Sequence, residues 1–295
     1  MSAGSASPVV LGLDIGGSRT RALLSAGGRV VGEASGGSAS LTAAGADRAR
    51  EVLRSVLGEL DVGSVAAAVA GAAGCDTPVH RAAMRDLLAP LLPGARVEVV
   101  HDARLVLAAA GLDAGVVLIA GTGSVAWGLA PDGVSEARAG GWGHLLGDDG
   151  SGYWVVREAA RRALAEYDRG EPAGPLAACL LADTGAADPL ELTVHFHAHR
   201  GPDEWAALSH AALSADPSLV DATASALAAL ATTVAGRLRL PGPVVLAGGM
   251  LLGEERLEAA LRAALPRTSV LRAESEPVTG AIRLAERLAV GGSAR

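Results

Sequence analysis

The chain has no lysine: all 25 of its basic residues are arginine. That excludes a Walker A phosphate loop, a kinase-type strand lysine and Schiff-base chemistry, each of which needs a lysine side chain. Aromatic residues are scarce, with four Trp, two Tyr and one Phe, so Ala, Leu and Val must fill the core. Two cysteines, Cys75 and Cys179, stand far apart with no C-x-x-C pair. A zinc ribbon or an iron–sulfur cluster built within one chain is therefore not expected. A formal net charge of -7 argues against a nucleic-acid partner, whose phosphates call for a basic face. No apolar run approaches the length of a membrane span, and Met1 to Pro8 lacks the regions of a signal peptide. The expectation is a soluble, cytoplasmic protein without membrane contact.

What is present supports a sizeable aliphatic core. Half of the 295 residues are hydrophobic, enough for two domains of ordinary size. Val9 to Ile15 is an apolar run that passes into Asp14-Ile-Gly-Gly-Ser-Arg-Thr20, then Ala22 to Ser25, Gly27-Gly28 and Arg29 to Ala34. Short strands separated by glycine turns read as an antiparallel meander. In the first turn, Gly16 and Gly17 let backbone amides converge on an anion, Ser18 and Thr20 add hydroxyls, and Asp14 can hold a magnesium ion. A plain hairpin turn is the alternative.

The pattern recurs. Val116 to Ala120, the loop Gly121-Thr-Gly-Ser124, Ala126 to Gly133 and Val134 to Gly141 again read as strand, glycine turn with a hydroxyl, strand, turn, strand. Two such units suggest a duplicated domain with two glycine loops facing one cleft. Between them, Asp47 to Leu60 and His80 to Leu92 are helical by spacing, and Val65 to Ala70 and Val97 to Val100 are strand candidates. Alternation of strands with helices implies a mostly parallel sheet after the meander, with ligands at the carboxyl ends of its strands. Asp102 falls there. It can accept a hydroxyl proton as that oxygen attacks a γ-phosphate, or cap the helix from Ala103 to Ala110, and the roles are compatible.

Gly140 to Ser151 is a glycine-dense loop carrying Trp142, His144, Asp148 and Asp149. An aromatic face beside carboxylates suits a sugar, while capping of the following helix, Tyr153 to Tyr167, would account for one or two of the polar residues. A structural hydrogen bond is the expectation for His144. His195-Phe-His-Ala-His199 would gather His195, His197 and His199 on one face as a strand and scatter them as a helix. Further on, Asp221 to Leu240 and Glu254 to Leu265 read as helices with solvated charged faces.

Asp14 to Thr20, Asp102-Ala103, Gly121 to Ser124 and Gly141 to Ser151 together resemble the N-acetylglucosamine kinases. These lie within an ATPase family that also includes the activators of benzoyl-CoA reductase and 2-hydroxyacyl-CoA dehydratase, in the actin-like sugar-kinase superfamily. The resemblance covers nearly the whole chain. It implies an α/β fold of two actin-like (ribonuclease H-like) domains, 1–112 and 113–295, with a nucleotide cleft between them that closes on the sugar. The last helix would pack back on the first domain. It implies ATP and Mg2+ as cofactors: Asp14, Gly16, Gly17, Ser18 and Thr20 form one phosphate loop, with Asp14 at the metal, and Gly121, Thr122 and Gly123 the other. Gly248 and Gly249 of Val244-Val-Leu-Ala-Gly-Gly-Met250 resemble the family's adenosine loop. Asp102 becomes the general base on a sugar 6-hydroxyl, with Ser40, Thr122, Gly141, Trp142, Asp148 and Asp149 near the sugar. Ser40 stands where many relatives carry asparagine, and Ala70-Gly71-Ala72 replaces a more polar stretch, so contacts to the sugar's 2-substituent differ. The implied activity is an ATP-dependent kinase for an amino sugar, N-acetylglucosamine foremost. The alternatives are an ATPase activating a partner redox enzyme and a sugar-binding protein without turnover. A homodimer is left open.

Overall fold

β1 (Val9–Ile15) is apolar along almost its whole length because it is covered on both faces and paired on both edges. The structure, a computed structural model, describes residues 7–198 and 201–291. After β1 come β2 (Arg19–Ala26), β3 (Arg29–Gly37), α1 (Leu41–Ala44), α2 (Ala46–Gly58), β4 (Val65–Ala72), α3 (Pro78–Leu88), β5 (Arg96–His101) and α4 (Asp102–Ala109). Next are β6 (Gly115–Ala120), β7 (Ser124–Leu129), β8 (Glu136–Gly140), α5 (Gly152–Asp168), α6 (Pro175–Thr184), α7 (Pro189–His197), α8 (Pro202–Ala206), α9 (Ser209–Ala215) and α10 (Pro217–Leu238). The chain closes with β9 (Val244–Ala247), α11 (Gly249–Gly253), α12 (Glu255–Ala264), β10 (Val270–Arg272) and α13 (Pro277–Ala289).

Two compact units result. One comprises the described residues of Met1–Ala114, Pro131–Val134 and Ala273–Arg295, the other Gly115–Ala130 and Ser135–Arg272. Each contains a five-stranded mixed sheet, ordered β3-β2-β1-β4-β5 in the first and β8-β7-β6-β9-β10 in the second. In each, three antiparallel strands are followed by two added in parallel to the first. The internal repeat in the sequence is thus a repeat of topology, and the fold is α/β with two units of the same plan.

In the first unit α2 buries Ala49, Val52, Leu53, Val56 and Leu57 at helical spacing on one face of the sheet. α4 and α13 cover the other face, where Ala281, Leu284, Ala285 and Leu288 meet Val10, Val69 and Leu105. Arg283 Nη1 donates to the carbonyls of Ala108 and Ala109 at 2.9 and 2.6 Å, satisfying acceptors that the end of α4 leaves open. In the second unit α10 buries Leu219, Leu227 and Val234 against β7, β8 and α12. Contrary to the expectation of no membrane-length run, α10 passes that test by length and composition, and its buried face makes it a core helix.

Two local expectations change. α3 ends at Leu88 rather than Leu92, in a short 3-10 turn carrying Pro90, because proline has no N–H to continue the helical hydrogen bonds. The cap of α4 is His101, and Asp102 is its first helical residue.

α13 can lie close to α4 only because residue 280 is glycine: a Cβ there would run into the backbone of Leu105 and Ala109. Gly280→Ala should therefore destabilise the protein by about 1–3 kcal/mol in urea titrations. Gly236→Ala, on the exposed end of α10 with nothing near the added methyl, should stabilise it by about 0.5–1 kcal/mol.

Candidate functional site

Parallel pairing of β1, β4 and β5 brings three acids to one edge of the first sheet. Asp14 is opposite Gly71 and Gly71 opposite Val100, so the carboxyl ends of the strands are level. Asp14 stands at the end of β1, Asp76 just past β4, and Asp102 just past β5. Burial, and then the charge of Asp102, push the Asp14 carboxyl up to about 6, although Arg19 and Arg21 pull it down. Arg21 is itself shared: it donates to Glu33 at 2.5 Å and to Glu276 just before α13.

The first glycine turn is closed by the amide of Gly16 on the carbonyl of Arg19 at 2.9 Å, with Gly17 and Ser18 exposed. Thr20 is fully buried, and its hydroxyl oxygen accepts from the amide of Ala39 at 3.0 Å. Ser40 is also buried, its hydroxyl donating to the carbonyl of Ala73 and lying 3.0 Å from that of Thr42. Both hydroxyls anchor the segment after β3, to β2 and to the loop after β4, and it is the Ser38 hydroxyl that reaches the turn, donating to the carbonyl of Gly16 at 2.9 Å.

His101 links two of the acids. Its ring is buried, with Nε2 3.1 Å from Asp76 Oδ1 and Nδ1 2.9 Å from Asp102 Oδ1. Burial opposes charge on the ring, but the hydrogen bonds to Asp102 and Asp76 outweigh it and raise the imidazole to about 9. Neither His101 nor Asp76 stood out in the sequence, although a His-Asp pair at a strand end was a usable signal.

In the second unit the loop Gly121–Gly123 sits between the ends of β6 and β7, and the start of α5 is laid against it. The amides of Gly152 and Tyr153 donate to the carbonyls of Gly121 and Thr122 at 2.8 and 3.3 Å, and Ser151 caps the helix by accepting from Trp154 at 3.1 Å. Thr122 Oγ1 donates to Asp203 Oδ1 at 2.7 Å, a partner that no motif pointed to. Gly248, at φ 95°, crosses β6 so closely that a Cβ would strike the backbone of Ala120. That puts Gly248 and Gly249 beside Gly121. A cavity of about 240 Å³ opens next to them, lined by Ser209, His210, Leu213, Gly249, Met250, Gly253 and Glu254.

Asp148 joins the same group. It is buried and holds a left-handed φ of 59° without being glycine, a strain that buried contacts must hold in place. Burial raises its carboxyl above the usual range, against the amides of Gly143 and Ser124 that donate to it. Asp149 is exposed and contributes its carbonyl to the Ser124 hydroxyl at 2.7 Å. Gly141 accepts from Arg138, whose guanidinium also lies over the Trp142 ring at 5.0 Å, leaving Trp142 64% exposed. His144 packs edge-on against Tyr153, centroids 4.9 Å apart, rather than through the expected hydrogen bond.

His195 and His197 lie on the helix α7, and His199 is outside the described residues. Among the described residues no group of three or more His, Cys, Asp or Glu could hold a metal ion by itself. Burial pushes the Cys75 thiol up to about 11 and raises that of Cys179, so neither is poised as a thiolate ligand.

Comparison with known proteins bears on this arrangement. The model of the BadF/BadG/BcrA/BcrD ATPase family matches residues 11–285. The chain belongs to that family. An N-acetylmuramic acid/N-acetylglucosamine kinase of Clostridium acetobutylicum is 34% identical over 172 residues, 55% of this chain and 56% of the relative. An N-acetyl-D-glucosamine kinase of Dictyostelium discoideum is 34% identical over 126 residues, 42% of this chain and 38% of the relative. The chain thus spans about half the length of the first relative and less of the second. A solved structure from Chromobacterium violaceum, provisionally named an N-acetylglucosamine kinase, shares 27% identity at a TM-score of 0.68, covering 94% of this chain and 98% of that one. A glucokinase from Streptomyces griseus, solved with glucose and AMPPNP, shares the fold at 20% identity and a TM-score of 0.57, covering 96% and 100%.

The family implies a nucleotide and, with it, a divalent cation. Asp14 fits that group: a partly buried carboxylate beside a second one gains from a cation whose remaining ligands are phosphate oxygens and water. Without a cation, the native state binds the Asp14 proton more tightly than the unfolded chain does. The resulting stability is full below the ordinary value of 3.8 and lost as pH rises through about 6. Asp14→Asn should therefore gain on the parent between about pH 4 and 7, by about 1–2 kcal/mol after discounting for partial exposure, in urea titrations without nucleotide.

Proposed function

We propose that the protein is an ATP-dependent sugar kinase that phosphorylates the 6-hydroxyl of an amino sugar, N-acetylglucosamine foremost. The observation that carries this reading is the pair Asp14 and Asp102 at one strand edge, one a carboxylate in want of a cation, the other a carboxylate held through one oxygen by His101 and the Ala103 amide. Family membership and relatives named as N-acetylglucosamine kinases support the sugar-kinase part of this reading.

In this reading Asp102 takes the proton of the sugar hydroxyl while that oxygen attacks the γ-phosphorus. The bond from phosphorus to the bridging oxygen of ADP breaks, and the sugar phosphate and ADP leave. Mg2+, when bound, supplies neutralisation of the phosphate charge, and Asp14 holds it directly or through water. Gly16, Gly17 and Ser18 form one candidate phosphate cradle, and Gly121, Thr122 and Gly123 form another. Asp203 fixes the Thr122 hydroxyl by accepting its proton, which aims the oxygen's lone pairs away from that contact. The cavity beside Gly249 is smaller than a pocket for a whole drug-sized ligand, which suits a base alone. The exposed face of Trp142 offers an apolar platform for sugar C–H groups, and Asp148 a hydroxyl partner beside it.

The test is ADP release measured with a panel of amino and neutral hexoses, each alone, with the phosphorylated carbon of the product assigned by NMR. N-acetylglucosamine should give the highest kcat/KM and phosphate at C6. Asp102→Asn should lower kcat by about 10²–10⁴-fold with little change in sugar KM. Equal turnover in parent and variant would remove Asp102 from the role of base.

A further inference from the structure

His101 occupies a position that the reaction above does not use, yet both of its ring nitrogens are committed to carboxylates on different segments. Nε2 lies 3.1 Å from Asp76 Oδ1 in the turn between β4 and α3, and Nδ1 lies 2.9 Å from Asp102 Oδ1. A neutral imidazole has one N–H and can satisfy only one of these acceptors. Its other nitrogen would present a lone pair to a carboxylate oxygen. The amide of Ala103 is shared: it donates to Nδ1 at 3.1 Å and, at the shorter distance of 2.8 Å, to Asp102 Oδ1, the acceptor that can keep it when Nδ1 is protonated. With that amide bonded to Asp102, both ring nitrogens can carry protons. The doubly protonated ring is then the form that leaves no acceptor opposed. A ring with 7% of its surface exposed is also held against rotation.

The consequence falls on Asp102. Its Oδ1 is occupied by His101 and by the Ala103 amide, so the carboxylate plane is fixed and proton transfer is assigned to Oδ2. We propose that His101 is a positioning residue, a buried imidazolium strapped between Asp76 and Asp102 that orients the carboxylate for its attack on the acceptor proton. The inference rests on the kinase reading given above.

The charged and titratable groups around the ring come from every neighbouring element. Asp76 and Cys75 belong to the loop after β4, Arg81 to α3, Asp102 to α4, and Asp14 reaches the cluster from β1 through Asp102. Cys75 stays a thiol until about 11, so loss of the ring proton near 9 is a separable event. Because the folded-state value is raised, the strap is complete at neutral pH and opens as pH rises through about 9.

The experiment combines the pH profile of kcat for the full-length parent, Asp76→Asn and His101→Gln with 15N NMR of the imidazole in the parent and Asp76→Asn. The parent ring should show two protonated nitrogens at about pH 7.5, and its titration should coincide with an alkaline fall in kcat. Asp76→Asn should move both to lower pH together, with sugar KM unchanged within about twofold. His101→Gln should lower kcat about tenfold and abolish the alkaline limb. A neutral parent ring at about pH 7.5, or a kcat limb that Asp76→Asn leaves in place, would overturn the positioning role while leaving the kinase reading intact. A parent that releases no ADP with any sugar in the panel would sink the kinase reading itself, and the positioning role with it.

Discussion

Parallel register among β1, β4 and β5 forces carboxylates together, and the first unit is arranged around managing that charge. Level strand ends leave Asp14 within the field of Asp102, and His101 ties Asp102 to Asp76, at an edge where water is partly excluded. Burial, and after it the charge of Asp102, raises the proton affinity of Asp14. The protein answers in two ways. A histidine is inserted between Asp76 and Asp102, and Asp14 is left under-compensated, which is what its proposed place at a cation would require. Stability is surrendered locally where chemistry needs a charge imbalance.

The second unit repeats the topology with different content. Its counterpart to the Asp14 turn is Gly121–Gly123, without an acid at the strand end, and its neighbours are the start of α5, Asp203 and the close crossing at Gly248. One sheet therefore presents carboxylates and the other presents mainly backbone and hydroxyl groups. The two units thus share one α/β plan and differ in the loops that it carries.

Much of this was legible in the sequence because it is local. The hairpin turns at Gly16-Gly17 and Gly121 to Gly123, the buried runs of β1 and β6 and the glycine-dense loop before α5 are written in adjacent residues. Asp102 was found from its place after an apolar run. The rest depends on register that no local pattern encodes. The pairing of Ala72 with His101 is what sets Asp76 beside the histidine, and a fold of the chain from Ser38 to Thr42 under Ala73 is what buries the Ser40 hydroxyl. Asp203 lies 81 residues from Thr122, beyond any spacing argument. The His195 and His197 pair shows the reverse case: the pattern was conspicuous, and the helix α7 separates its members.

The account's central claim is the proposed pairing of Asp102, as base for an acceptor alcohol, with Asp14 and the turn at Gly16 and Gly17, which would meet the cation and phosphates of the nucleotide. A crystal structure with a non-hydrolysable ATP analogue, Mg2+ and N-acetylglucosamine tests it most directly. The account predicts phosphate oxygens within hydrogen-bond distance, about 3 Å, of amides in that turn, and Asp102 Oδ2 at a similar distance from the sugar 6-hydroxyl. Phosphates bound away from that turn, or an acceptor hydroxyl out of reach of Asp102, would contradict it.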